Sequence, residues 1–472
     1  MRSIFLASAF FLLGACQKVI ERDIVILGGG ATGIYAAVHL ADYNQSVVVI
    51  EKRDRLGGNT HTYYDPVTRI PVNFGVQFYY DDAVVHAFFD RLGVPLTSGS
   101  AAGSLNPLFV DIARSSVAKN QKVPPIGDDY LAQLSKYPYL ENGFHLPNPV
   151  PKDLLLPWVD YIAKYNLTDS AIASLQGPNP AGSPLKRLSL YQFNFVNDVV
   201  LSQSAGHIVS SANKDNAELY VKALQDIGKQ NVLLGSNVLK GTRQSSGIEL
   251  LVSTQEGNVV VRAKQMIVAA PPNRKNIATI GLDSHESTVL SQIGGYPFYS
   301  GVVNQTGLPA GFDFKNTALE NKFDAPSLPY LVHLADSGTI PGVFYYTYSS
   351  LEPLTQAAVQ AAVRKDIRKL QIALKSQGAT REDTRKLQIA LKSQGATQST
   401  APNFLAFSDD SPFHLEQSAK SIKGGFYDQM YGLQGYRNTW YVSALFVLNA
   451  AQLWNNTAAL LPSIVSAASA IK

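Results

Sequence analysis

The chain has almost no cysteine: Cys16 stands alone among 472 residues. No intrachain disulfide can form, and beyond position 16 no thiolate is available as nucleophile or metal ligand. Charge is scarce as well, at 16% of residues, and 40 basic against 36 acidic side chains leave a formal net charge of +4 with no basic block behind it. That removes the electrostatic footprint of a nucleic-acid binder. His207, His333 and His414 share no metal-ligand spacing, and neither H-E-x-x-H nor G-x-S-x-G occurs. Neither a metal centre nor a serine hydrolase is expected. What remains is a long chain, 46% apolar, with enough material for two lobes.

The first residues, "MRSIFLASAFFLLGACQK", carry one early positive charge, an apolar stretch from Ile4 to Leu13, and small residues at Gly14 and Ala15. The stretch is too short for a membrane helix, which needs roughly 20 apolar residues. Residues 1–16 read as a signal peptide, so a secreted or extracytoplasmic protein is expected. In the alternative, Cys16 itself becomes a lipidated first residue, and the membrane is then a partner through that lipid alone.

After the leader, "RDIVILGGGATGIYAAVHLADYNQSVVVIEK" reads as strand, glycine turn, helix, loop and second strand, a βαβ unit. Gly28, Gly30 and Gly33 form G-x-G-x-x-G at the turn. The first glycine permits the sharp bend, the second lets a pyrophosphate approach the backbone, and the third lets helix and strand pack closely. The helix beginning at Ala31 and Thr32 offers free N–H groups and its positive dipole end to phosphates. Glu51, followed by Lys52, ends the second strand at the spacing where a carboxylate accepts hydrogen bonds from an adenosine ribose. These features together predict a dinucleotide site.

The next stretch, "RDRLGGN", narrows the choice of dinucleotide. Arg55 is placed to neutralise a pyrophosphate, while Gly57 and Gly58, followed by Asn59, let the chain pass close against an extended cofactor. Here the sequence resembles the flavin-containing amine oxidase superfamily, and within it most resembles fungal oxidoreductases of the β-cyclopiazonate dehydrogenase type. The resemblance rests on "GGNTHTYYDP", "NFGVQFY", "DLLLPWVDYIAKYNL" and "QGYRNTWYVSA". It implies FAD as cofactor, with Gly75, Val76 and Gln77 beside the flavin ring, Val238 against adenine, and Ser443 in the cap over flavin and pyrophosphate. It also implies an α/β fold in which a Rossmann-like FAD-binding domain (22–91, 205–281 and 424–472) is interleaved with a discontinuous α+β substrate domain (92–204 and 282–423).

The function this implies is oxidation of a small, largely apolar substrate, an amine or an indole-type secondary metabolite, by hydride transfer to flavin N5. The electron acceptor is oxygen or another oxidant. A flavin-binding protein without turnover, passing electrons at a cell surface, is the alternative. Many amine oxidases of the superfamily hold a lysine where this chain has Tyr299 and Ser300, which argues against ordinary amine oxidation. Hydride transfer needs mainly geometry and a dry site, so an aromatic-lined cavity is expected. The catalytic candidates are Tyr299, Tyr431, Trp440 and Tyr441, with Phe78, Tyr79, Tyr296 and Phe298 as further lining; core packing is the alternative for each. His61 is a position where the flavin can in principle be attached. Finally, "RKLQIALKSQGAT" occurs at Arg368 to Thr380 and again, unchanged, at Arg385 to Thr397. Two copies cannot build a solenoid, and each reads as a short amphipathic helix without a function of its own.

Overall fold

Val47 to Ile50 is β-branched throughout and forms β2 beside β1 (Val19–Leu27), with α1 (Ala31–Leu40) making the crossover between them. The computed structural model describes residues 18–100, 102–118, 121, 124–167, 169–170, 172, 175, 182–197, 201, 206–376 and 401–471. The leader with Cys16 and the second copy of the repeat lie outside these residues.

Around the βαβ unit the chain builds a seven-stranded sheet from distant segments. Val232–Leu233 runs parallel to β2, Gly257–Val268 parallel to β1, and Thr439–Tyr441 parallel to Gly257–Val268. Asn237–Gln244 and Gly247–Thr254 extend the sheet as antiparallel strands. The registers pair Leu233 with Ile50, Ile50 with Leu27, Leu27 with Val268 and Val268 with Tyr441. The parallel strands therefore all finish on one edge, where α/β sheets hold their ligands.

A second seven-stranded sheet runs in the order Asn403–Asp409, Phe298–Asn304, Phe344–Ser349, Tyr330–Asp336, Phe312–Thr317, Asn106–Asp111, Ser116–Val117. Its strands alternate in the two-residue period of the pleat. Phe312, Phe314, Leu331, Leu334, Phe344, Tyr346 and Tyr348 point to one face and pack with Val359, Val363, Ile367, Leu370 and Leu374 of the helix Gln356–Lys375. The intervening residues point the other way.

That helix alters the reading of the repeat. Arg368 to Lys375 of the first copy form not a separate short helix but the last two turns of the 20-residue helix Gln356–Lys375, which starts on a Thr355 cap. Leu370, Ala373 and Leu374 lie in the core, because the apolar stripe that begins at Val359 continues through them.

One buried ion pair ties the first sheet to the helix Ser284–Leu290. Arg243 Nη2 donates to Glu286 Oε2 at 2.6 Å, with the two side chains 0% and 1% exposed. Arg243 Nη1 also donates to Thr439 Oγ1 at 2.9 Å, and Arg437 Nη1 donates to Glu286 Oε2 at 3.0 Å. Removing one member strands a buried charge. Glu286→Ala is expected to cost about 3–5 kcal/mol, read by urea denaturation. A loss under about 1 kcal/mol would mean the pair is not the anchor described.

Candidate active site

Two glycine turns approach each other at the edge where the parallel strands end. A Cβ on Gly30 would meet nothing nearer than Gly58 Cα, at 3.7 Å. Around them the structure is tight: a Cβ on Gly33 would lie 2.0 Å from the Gly28 carbonyl oxygen, and Gly28 itself has φ +107° against the Ala270 backbone. The result is a side-chain-free groove with rigid walls. α1 opens onto it at Gly30 with no side-chain cap, so its first amides remain available to an anion.

Glu51 ties the turns together. Its Oε2 accepts from Gly29 N at 2.6 Å and its Oε1 from Arg53 N at 2.8 Å. The carboxylate is 6% exposed and lines the groove, and each of its oxygens keeps a lone pair for a further donor.

The groove continues into a cavity of about 1070 Å³ that reaches the second sheet. Gly28, Gly30, Ala31, Thr32, Glu51, Lys52, Gly57, Gly58, Asn59, Gly75, Val76, Gln77 and Val238 all line it. Three expected contacts do not. Gly33 is spent on helix-to-strand packing. Ser443 is buried beside the cavity, its hydroxyl without a partner. Arg55 is the clearest correction: its guanidinium donates to the carbonyls of Leu56, Gly58 and Thr60 and contacts His61 Nδ1. Those bonds use up the fork that a pyrophosphate would need, so Arg55 braces the glycine-doublet loop instead. Arg53 does line the cavity and donates to Gly58 O at 2.6 Å.

The four catalytic candidates also lie off the cavity. Tyr299 is fully buried on the helix-backed face, its hydroxyl accepting from Leu354 N at 2.6 Å. Tyr431 stacks between His145 and Phe446 and accepts from Phe144 N. Trp440 and Tyr441 sit in opposite cores because the strand Thr439–Tyr441 is covered on both faces, and Trp440 Nε1 donates to Gln265 Oε1 at 2.9 Å. Tyr296 and Phe298 are likewise absent from the lining, whereas Phe78 and Tyr79 belong to it. His61 has both nitrogens engaged, Nδ1 by Arg55 and Nε2 by Asp410 Oδ1 at 2.7 Å. Burial pushes the His61 imidazole down. Burial alone would raise the Asp410 carboxyl, but its bond to His61, with Arg53 and Ser300, holds it below the usual range.

The walls carry groups that the sequence did not point to. Phe109, Tyr330, Val332, Tyr345 and Thr347 come from the open face of the second sheet, together with Asp313, Lys315 and His333. Strict alternation would send His333 to the helix side with Leu331. A β-bulge between Leu331 and His333 turns Val332 and His333 to the same face, a device that re-aims side chains near sites. His333 Nδ1 then lies 3.1 Å from Asp313 Oδ1. Burial raises the Asp313 carboxyl, but the facing His333 and Lys315 side chains bring it out below its ordinary value. Only an unusual strand pairing signals this dyad.

Comparisons with known proteins bear on the family and the fold. Residues 26–92 match the family described as NAD(P)-binding Rossmann-like domain. The chain is 44% identical to an FAD-dependent oxidoreductase of Emericella nidulans, covering 95% of this chain and 92% of that one. It is 34% identical to an FAD-dependent oxidoreductase of Monascus ruber, covering 95% and 93%, and 27% identical to β-cyclopiazonate dehydrogenase of Aspergillus oryzae, covering 95% and 94%. Among solved structures, the fatty acid isomerase of P. acnes superposes with a TM-score of 0.69 at 15% identity, covering 94% and 98%. Putrescine oxidase bound to putrescine gives 0.62 at 14% identity, covering 95% and 100%. The shared fold is that of two-domain, amine oxidase-like flavoenzymes.

The groove separates two glycine substitutions. Gly30→Val is expected to leave the fold intact, because its Cβ would make only an ordinary contact, 3.7 Å from Gly58 Cα, and to cut the flavin retained after dialysis by tenfold or more (roughly 1.4 kcal/mol). Gly33→Val is expected to prevent soluble folding. Equal flavin content in Gly30→Val and wild type would show that the groove is not where the cofactor lies.

Proposed function

The chain belongs to the FAD-dependent oxidoreductases, and on that premise we propose that its cavity oxidises a small, largely apolar molecule by hydride transfer to the flavin. One observation carries the reading. A single cavity is lined at one end by the glycine turns and Glu51, and at the other by Phe109, Tyr330 and Tyr345 of the second sheet. Cofactor and substrate can thus share one continuous space.

The groove residues fit FAD. Gly30 and Gly58 line the cavity without side chains and so let a pyrophosphate approach the backbone, the α1 amides face it, and Glu51 keeps acceptor capacity for ribose hydroxyls. When bound, FAD supplies the two-electron acceptor. The chain's own residues do the rest. The aromatic wall orients an apolar body and excludes water, which strengthens every polar contact inside. Loss of a hydride from a C–H next to an N–H or O–H leaves a proton to be taken up. We assign that proton to His333, whose Nδ1–H donates to the Asp313 carboxylate and whose Nε2 is left to accept. General bases of this kind contribute roughly 10²–10⁴ in rate. An amine or an indole-type metabolite has the apolar body and the N–H that this arrangement serves.

Anaerobic addition of such a substrate to the holoenzyme is expected to bleach the flavin spectrum. In Asp313→Asn the bleaching rate is expected to fall by about 10²–10⁴ at unchanged flavin content. A flavin reducible by dithionite and by none of a broad set of amines, indoles and alcohols would overturn the proposal.

A further inference from the structure

A second histidine lines the same cavity with the opposite kind of partner. His414 is buried, and its backbone sits at φ +50°, a left-handed conformation uncommon for a non-glycine residue and concentrated at functional sites. Arg187 Nη2 donates to His414 Nδ1 at 2.8 Å. Arg187 is itself fixed by Glu416, its Nε donating to Oε1 at 2.6 Å with the guanidinium 2% exposed. Phe413 stacks on the His414 ring at 4.6 Å, and Phe195 packs across it at 5.1 Å.

A guanidinium only donates, so Nδ1 must be the accepting nitrogen and the proton of the neutral ring sits on Nε2. Burial pushes the imidazole well below its ordinary range, and the Arg187 charge adds to the effect. The ring therefore stays neutral with one N–H to give.

His61 shows what such a ring normally does with it. There too an arginine engages Nδ1, and the Nε2–H is consumed by the Asp410 carboxylate. At His414 no acceptor meets Nε2 among the described residues. His414 lines the cavity, so an acceptor on a ligand can meet this donor where the protein supplies none among the described residues.

We propose that His414 Nε2–H is a ligand-binding donor that recognises an oxygen of the substrate, a carbonyl or an enolate or phenolate anion, with Arg187 and Glu416 as positioning residues that fix its tautomer and orientation. This rests on the reading of the cavity as the substrate chamber and narrows it. The substrate carries an oxygen acceptor on its apolar body, so a simple alkylamine is excluded. A neutral imidazole polarising a carbonyl is an established electrophilic device, and a bond to an anionic oxygen is worth more than one to a neutral group.

The probe is p-nitrophenolate, titrated into ¹⁵N-histidine-labelled holoenzyme and followed by imidazole ¹⁵N shifts, probe absorbance and the flavin spectrum. The His414 signals are expected to show the Nε2–H tautomer, and that N–H is expected to shift on addition of the probe. Affinity is expected to fall at least tenfold in His414→Phe and less in His414→Gln, which keeps a donor; tenfold corresponds to about 1.4 kcal/mol. An Nδ1–H tautomer in the wild type, no probe binding, or equal affinity in wild type and His414→Phe would each overturn the proposal. The flavin spectrum separates this failure from that of the chamber. Probe binding that perturbs the flavin while ignoring His414 sinks the donor and leaves the chamber standing. Probe binding that leaves the flavin spectrum untouched sinks both.

Discussion

The carboxylate of Glu51 holds the site together. It accepts backbone N–H groups from both glycine turns, at Gly29 and Arg53, and each charge-assisted bond contributes on the order of 1.5–3 kcal/mol. That clasp and the backbone bond from Gly57 N to Gly29 O at 2.8 Å together keep Gly30 and Gly58 opposed, where no side chains are present to fix their spacing. The backbone freedom that makes glycine useful also loosens the turn it makes. Glu51 resolves the conflict by supplying rigidity from β2. Arg55 does the same from within the loop, tying down the carbonyls of Leu56, Gly58 and Thr60. The groove is thus preformed, and a cofactor entering it meets little ordering cost.

The second sheet works by division of its faces. The period of two commits alternate residues to the helix Gln356–Lys375, and this apolar face carries Tyr299, Tyr346 and their neighbours. The other face is free to be functional because the first bears the packing. Ser300, one residue along from Tyr299, falls on the free side and donates to Asp410 Oδ2 at 2.8 Å. Asp410 lines the cavity and is balanced by His61 and Arg53. Where many amine oxidases that the sequence resembles place a lysine cation, this chain places a hydroxyl bound to a buried carboxylate.

What the sequence made legible divides along the same line. The groove was readable because its parts lie within one continuous stretch, and each residue type has a backbone reason to be there. Gly28 and Gly33 are required by close approach, and Glu51 by position at a strand end. Arg55 was misread since its sequence neighbourhood says that a charge is present but not where its fork points; the structure aims it at carbonyls of its own loop. The aromatic candidates failed for a different reason. Trp440 and Tyr441 sit next to cap residues in sequence, yet a strand covered on both faces sends each into a core. His333 and Asp313 were invisible because their pairing depends on a bulge, a local defect in register with no residue signature of its own. His414 and Arg187 are 227 positions apart, beyond any motif.

The two cavity histidines bear on specificity in a way that shape alone does not. The cavity of about 1070 Å³ takes in the cofactor groove as well as the aromatic end, and an apolar wall discriminates weakly between bodies of similar size, by about 1–3 kcal/mol per methylene. Polar atoms that meet no partner among the described residues discriminate far more strongly, because a ligand that cannot satisfy them leaves them buried and unpaired. His333, backed by a carboxylate, asks for a proton donor. His414, backed by a guanidinium, asks for an acceptor. A molecule that offers both at the right separation gains twice over one that offers either, so the aromatic walls can stay permissive about the carbon skeleton while the pair selects the pattern of heteroatoms it carries.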